Sequence, residues 1–167
     1  MSVVATLVVG ADGSTSKGGN SRGVASNADR QAFLARRRGA DCILIGGQTA
    51  RVEPYARTPV PVVVISRSMI NALAHNRLAH WWNLSPAQAI AKAQAKFGEN
   101  IFVEAGASVI LSMLEERLID QFELSVTDIH GGEDPIDIEK ILRYFSKVEK
   151  TVIDETIFYS ASEPKPL

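Results

Sequence analysis

A chain of 167 residues, 46% hydrophobic and 22% charged, has the makings of one globular domain with a single substantial core. Its formal net charge of −1, with both signs spread along the length, gives no electrostatic case for a nucleic-acid or membrane-surface protein. The one cysteine, Cys42, cannot form an internal disulfide and reads as a buried apolar-like thiol in Cys42-Ile43-Leu44-Ile45. No apolar stretch approaches the ~20 residues that span a bilayer. The opening Met1-Ser2-Val3-Val4 lacks the basic region of a signal peptide, so a cytoplasmic location is expected.

Residues 3–9 are β-branched and apolar and stop at Gly10-Ala11-Asp12-Gly13, which reads as a buried strand ending in a turn. Residues 14–26, rich in Ser, Gly and Asn, form a loop of a length often tied to function. Asn27 suits the cap of a helix over residues 28–38, with Phe33 and Leu34 inward and Gly39 as terminator. Residues 41–45 make a second strand, leading into Gly46-Gly47-Gln48-Thr49-Ala50-Arg51. A proline-punctuated loop precedes the third strand, residues 62–65, followed by Ser66-Arg67. Residues 69–83 suggest a short helix and then a loop carrying Trp81-Trp82.

Ser85-Pro86 is a cap and first-position pair for a helix reaching Phe97 and closed by Gly98. Residues 101–103 form a fourth strand running into Glu104-Ala105-Gly106-Ala107, and residues 108–117 an amphipathic helix. Residues 119–126 are strand-like, 127–137 a loop and 138–145 a short helix. Residues 148–153 and 156–159 make a closing hairpin, with a polar tail beyond. Strands alternate with helices early and follow one another at the end. This order predicts a three-layer α/β fold, its central sheet mainly parallel with antiparallel C-terminal strands. A single domain over 1–160 and a polar tail over 161–167 are expected.

Ligands of open α/β sheets bind outside the carboxyl ends of the strands. Three such ends carry small, hydroxyl or basic residues: Gly46-Gly47-Gln48-Thr49, Ser66-Arg67, and Glu104-Ala105-Gly106-Ala107-Ser108. Glycine lets a phosphate approach a helix N-terminus closely, and Arg51 and Arg67 suit further phosphates. The set points to a dinucleotide with an additional 2′-phosphate. The fingerprint of a conventional dinucleotide-binding fold after the first strand is absent. His75, His80 and His130 lack metal-ligand spacing, so no metal is expected.

The ordered motifs Asp12-Gly13, Ala40-Asp41-Cys42-Ile43-Leu44-Ile45-Gly46-Gly47-Gln48-Thr49, Val64-Ile65-Ser66-Arg67, Val103-Glu104-Ala105-Gly106 and Leu118-Ile119-Asp120-Gln121-Phe122-Glu123-Leu124 carry a resemblance. Together they resemble the C-terminal reductase domain of the riboflavin-biosynthesis deaminase–reductase, strongest from Val3 to about Gly132. The resemblance implies a dihydrofolate-reductase-like fold, NADPH as hydride donor and a phosphorylated ribosylamino-pyrimidine as substrate. It implies that Gly46, Gly47 and Thr49 hold the cofactor, with Ser66 and Arg67 near its 2′-phosphate and Gly106, Ala107 and Ser108 facing its diphosphate. It places Ser21, Arg37, Arg57 and Glu104 on the substrate, and leaves Glu104 and Asp12 as candidate catalytic residues.

A lysine that the family often carries on the first strand is replaced here by Thr6. A homodimer through the C-terminal strands is expected on the same likeness. Two other readings stay open. A dihydrofolate reductase would need a carboxylate on the first long helix in an apolar setting, whereas Asp29 reads equally as a partner of the helix dipole. A non-catalytic NADP(H)-binding regulatory protein would explain Thr6.

Overall fold

The computed structural model describes residues 2–167. In chain order its elements are β1 (Ser2–Val9), β2 (Ser14–Ser16), a 3-10 turn (Ser21–Gly23), α1 (Asn27–Arg37), β3 (Cys42–Gly46), α2 (Gly47–Val52), β4 (Val62–Ile65) and β5 (Ala79–Trp82). There follow α3 (Pro86–Phe97), β6 (Asn100–Val103), α4 (Ala107–Glu115), β7 (Gln121–Val126), β8 (Glu133–Pro135), α5 (Ile138–Leu142), β9 (Phe145–Ile153) and β10 (Thr156–Pro164).

Eight strands form one sheet in the order β5-β4-β3-β6-β1-β7-β10-β9. All pairs from β5 to β7 are parallel, and β10 and β9 then add antiparallel. The mixed α/β architecture anticipated from the order of elements is therefore present. Val62, Val63 and Val64 on β4 are completely buried, as a run apolar on both faces requires.

Side chains alternate between the two faces of the sheet. On one face Ala5, Leu44, Val103 and Phe122 pack against Ile90 of α3, Ile110 and Met113 of α4, and Ile141 of α5. On the other, Ile43, Ile45, Val64 and Phe102 pack with Ala50, Tyr55 and Leu73. Helix α1 also lies on this second face, since Arg36 reaches Thr6 and Arg37 reaches Glu104. Its packing is unusually polar: Asp29 is the only buried residue of α1, and Leu34, expected inward, is 42% exposed. Its cap is Ser26 rather than Asn27, with Ser26 Oγ accepting from the Asp29 N–H at 3.1 Å.

Three other expectations need correction. Residues 79–82 are an edge strand instead of a loop, because parallel pairing with Val62–Ile65 of β4 overrides the weak local signal. Trp82 then lies parallel to the Phe97 ring, and the Trp81 indole N–H donates to Ser68 O. The loops at 14–26 and 127–137 contain β2 and β8, which pair into a small ribbon. The polar tail does not start at residue 161: β10 continues to Pro164, Ala161 is fully buried opposite Phe122, and the Lys165 N–H donates to Tyr144 O. Ser85 does form the anticipated capping box with Gln88.

Burial pushes the Cys42 thiol up to about 12, so it is expected to ignore a disulfide reagent until the chain is unfolded. Deleting residues 161–167 should lower folding stability by about 2 kcal/mol or more, since each lost hydrogen bond is worth about 1 kcal/mol net. A urea titration of the truncated chain checks this.

Candidate functional site

A cavity of about 850 Å³ opens at the carboxyl ends of β3, β6 and β1. Helix α1 and the β2–β8 ribbon enclose its far side, through Asp29, Phe33, Thr15 and Asp134 among others. A second hollow of about 440 Å³, beside Ser2, Asn100 and Gln121 at the opposite ends of the strands, contains none of the glycine junctions.

Two helices begin on the cavity wall. Both α2 and α4 have glycine N-caps, Gly46 and Gly106, and neither cap supplies a side-chain hydrogen bond. Their first backbone N–H groups therefore await an acceptor. The backbone at this wall is closely overlaid. A Cβ on Gly47 would lie 2.8 Å from Ser66 Oγ, and one on Gly46 would lie 3.2 Å from Val109 Cγ2. Glycine at these two positions keeps strand end and helix start in contact while leaving the amides bare.

Of the residues singled out in the sequence, Gly46, Gly47, Thr49, Gly106, Ala107, Ser108, Ser21, Arg37 and Glu104 all line this one cavity. Ser66, Arg67 and Arg51 lie outside its lining, though Ser66 and Arg51 adjoin Gly47. Ser66 Oγ accepts from the Ser68 N–H, Arg51 is within 3.5 Å of Gln48 Oε1, and Arg67 is exposed. Arg57 is not brought to the cavity. Its neighbours Tyr55 and Thr58 are tied to Asn76, through Tyr55 O at 3.0 Å and Thr58 Oγ1 at 3.2 Å, and the Arg57 side chain points to solvent.

Asp12 is a turn residue. It accepts from the Ser14 hydroxyl and N–H and from the Gly131 N–H, which hold its carboxyl down to about 2. So held, Asp12 is not among the residues that line the cavity.

Glu104 is held by three charge-assisted bonds. Arg37 forks onto it, Nε to Oε2 at 2.8 Å and an η-nitrogen to Oε1 at 2.7 Å, and the Tyr55 hydroxyl donates to Oε1 at 2.7 Å. The guanidinium is flanked by the Phe33 and Tyr55 rings, 4.7 and 5.5 Å from their centroids. Burial and the Glu104 carboxylate push the Tyr55 hydroxyl well above the ordinary phenol range, so it stays a donor. Neither Tyr55 nor its link to Glu104 was legible in the sequence, where Tyr55 is simply the residue after Pro54. Glu53, beside it, accepts from the Ser21 N–H at 2.8 Å and anchors the long loop.

The second residue missed is Asp29. It is 7% exposed and lines the cavity, so its helix-start position conceals an inward carboxyl. Desolvation raises its carboxyl above the usual range, opposed by Ser125, Arg36 and Arg30. Among the described residues, no helix is long and apolar enough to cross a membrane, and no group of His, Cys, Asp and Glu is arranged to hold a metal ion.

Arg37→Ala would leave the Glu104 carboxylate buried without its ion partner. It should cost about 3–5 kcal/mol, read as a lower denaturation midpoint. Tyr55→Phe removes one of three donors and should cost less, about 1–3 kcal/mol.

Comparison with known proteins places this architecture. A putative riboflavin biosynthesis protein from Shewanella sp. PV-4 superposes with a TM-score of 0.71 at 20% identity, covering 99% of this chain and 100% of that one. A pyrimidine reductase-like protein from Corynebacterium diphtheriae gives 0.72 at 16% identity, covering 99% and 92%. A deaminase/reductase from Thermotoga maritima gives 0.66 at 13% identity, where the chain covers 56% of the longer protein. None of the curated proteins compared with it matches this chain. A sequence-family model described as the RibD C-terminal domain matches residues 1–142. With that match over most of its length and the shared fold beneath it, the chain belongs to the RibD C-terminal domain family.

Proposed function

We propose that this chain is an NADPH-dependent reductase that delivers hydride to a small phosphorylated aminopyrimidine, in the cytoplasm and as a homodimer. The observation that carries the reading is the pair of uncapped, glycine-started helices, α2 and α4, opening on one cavity. Bare amides at two adjoining helix starts fit a diphosphate. Gly46, Gly47, Thr49, Gly106, Ala107 and Ser108 would hold that part of the cofactor, and Ser66, Arg67 and Arg51 its 2′-phosphate at the rim. NADPH, when bound, supplies the hydride.

The opposite wall would take the substrate. Ser21 lies there on a loop fixed by Glu53, and the Arg37–Glu104 pair forms a rigid polar floor. With its oxygens engaged by Arg37 and Tyr55, Glu104 acts mainly by holding Arg37 in place. The Thermotoga maritima neighbour is named a 5-amino-6-(5-phosphoribosylamino)uracil reductase, and family membership supports that compound as the first substrate to offer. A second reading, reduction of dihydrofolate, gains from Asp29, the buried carboxyl on the first long helix that sequence alone did not reveal.

Calorimetry is expected to show tighter binding of NADPH than of NADH. Arg67→Ala should weaken NADPH about tenfold or more, the worth of a charged hydrogen bond, and leave NADH unchanged. An unaltered preference would remove Arg67 from the phosphate site. Absorbance at the NADPH band, followed with the pyrimidine and with dihydrofolate, separates the readings; binding without oxidation of either would favour a regulatory protein.

A further inference from the structure

A site for phosphorylated ligands needs positive charge, and this cavity has little to spare. Its lining carries four carboxyl side chains, Asp29, Glu53, Glu104 and Asp134, against two guanidinium groups, Arg30 and Arg37. Arg37 has its fork closed onto Glu104, and Arg57 points to solvent elsewhere. Arg30 is the exception. Among the described residues its side chain donates no hydrogen bond and makes no ion pair. The carboxyl it acts on, Asp29, is raised by burial, which disfavours the carboxylate that would pair with it.

The position is a costly one for a cation with no task. Arg30 is the fourth residue of α1, where its backbone N–H donates to Ser26 O at 3.0 Å. The positive end of the helix dipole lies there, and a further positive charge beside it is unfavourable. Nor is its direction incidental. Arg30, Phe33 and Arg37 fall at i, i+3 and i+7, one stripe of the helix, and all three line the cavity. The Arg37 guanidinium lies over the Phe33 ring at 4.7 Å, so two members of the stripe are occupied with each other. Arg30 is exposed whereas the Arg37 side chain is only 16% exposed, which puts Arg30 at the mouth.

We propose that Arg30 binds the phosphate of the substrate at the mouth of the cavity, and so makes the reductase prefer a phosphorylated compound. The proposal rests on the reductase reading above. A guanidinium forks onto two phosphate oxygens, and at the mouth the remaining oxygen keeps its water. A phosphate drawn fully inside would lose that hydration among carboxyl groups. The phosphate therefore stays at the rim while the ring tethered to it reaches inward. The bare amides of α2 and α4, on the facing wall, are left to a separate diphosphate.

The test compares 5-amino-6-(5-phosphoribosylamino)uracil with the same compound lacking its phosphate, on the full chain. Calorimetry without NADPH should show wild type binding the phosphorylated compound more tightly. Arg30→Ala should lose about 10- to 100-fold on that compound and nothing on the other, with NADPH binding unchanged. Arg30→Lys keeps the charge without the fork and should recover part of the loss. In NADPH oxidation the same loss should fall on KM, with kcat within about twofold of wild type.

An Arg30→Ala protein that still prefers the phosphorylated compound, or that loses both compounds equally, would overturn the proposal and leave the reductase standing. So would a loss confined to NADPH, which would give Arg30 to the cofactor. The reverse pattern, with Arg57→Ala weakening the phosphorylated compound and Arg30→Ala not, would return the phosphate to the proline-punctuated loop. A wild-type protein whose binding depends on Arg30 as expected, but which oxidises no NADPH with either compound, would end the reductase reading and keep Arg30 as a phosphate ligand.

Discussion

One wall of the cavity depends on a helix that has almost no apolar grip. Only one residue of α1 is buried, and that residue is charged or chargeable. What docks the helix is a set of polar bonds: Ser26 to Thr156 at its start, Arg36 to Thr6 near its end, and the Arg37 fork onto Glu104. Glu104 in turn follows directly on β6, whose register against β1 and β3 is fixed by parallel pairing. The positions of Arg37 and Glu104 are thus inherited from the sheet through a few polar contacts.

The facing wall, at the starts of α2 and α4, is built differently. Its strands and helices join through glycines, and its helices pack on the sheet through Ile110, Met113 and Ala50. This contrast explains what could be read from the sequence. Continuous β-branched runs such as Val62–Ile65 and the Ser85-Pro86 start of α3 declare themselves, because local chemistry and burial agree there. Glycine junctions are legible for the same reason: the backbone requirement is written in the residue itself.

The side of the cavity formed by α1 was legible only in part, since its contacts are long-range. Asp29 looks like a dipole partner at a helix start, and nothing local says which way α1 is turned. Tyr55 acquires its role only because Asn76, 21 residues away, fixes the loop that carries it. Asp12 is a carboxylate in a motif whose oxygens are engaged by the Ser14 hydroxyl and the Gly131 N–H of its turn. The strand at Ala79–Trp82 and the end of β10 were hidden because both take their structure from a neighbouring strand more than from their own composition.

A protein whose cleft is walled on one side by oil and on the other by ions has two materials in one pocket. Cooling weakens the first and leaves the second largely intact, while acid strong enough to discharge carboxylates does the reverse. A polar-docked helix can also lift from its sheet without exposing much greasy surface to water. The two walls of the cleft therefore answer to different conditions, the side of α1 to protons and the side of α2 and α4 to temperature.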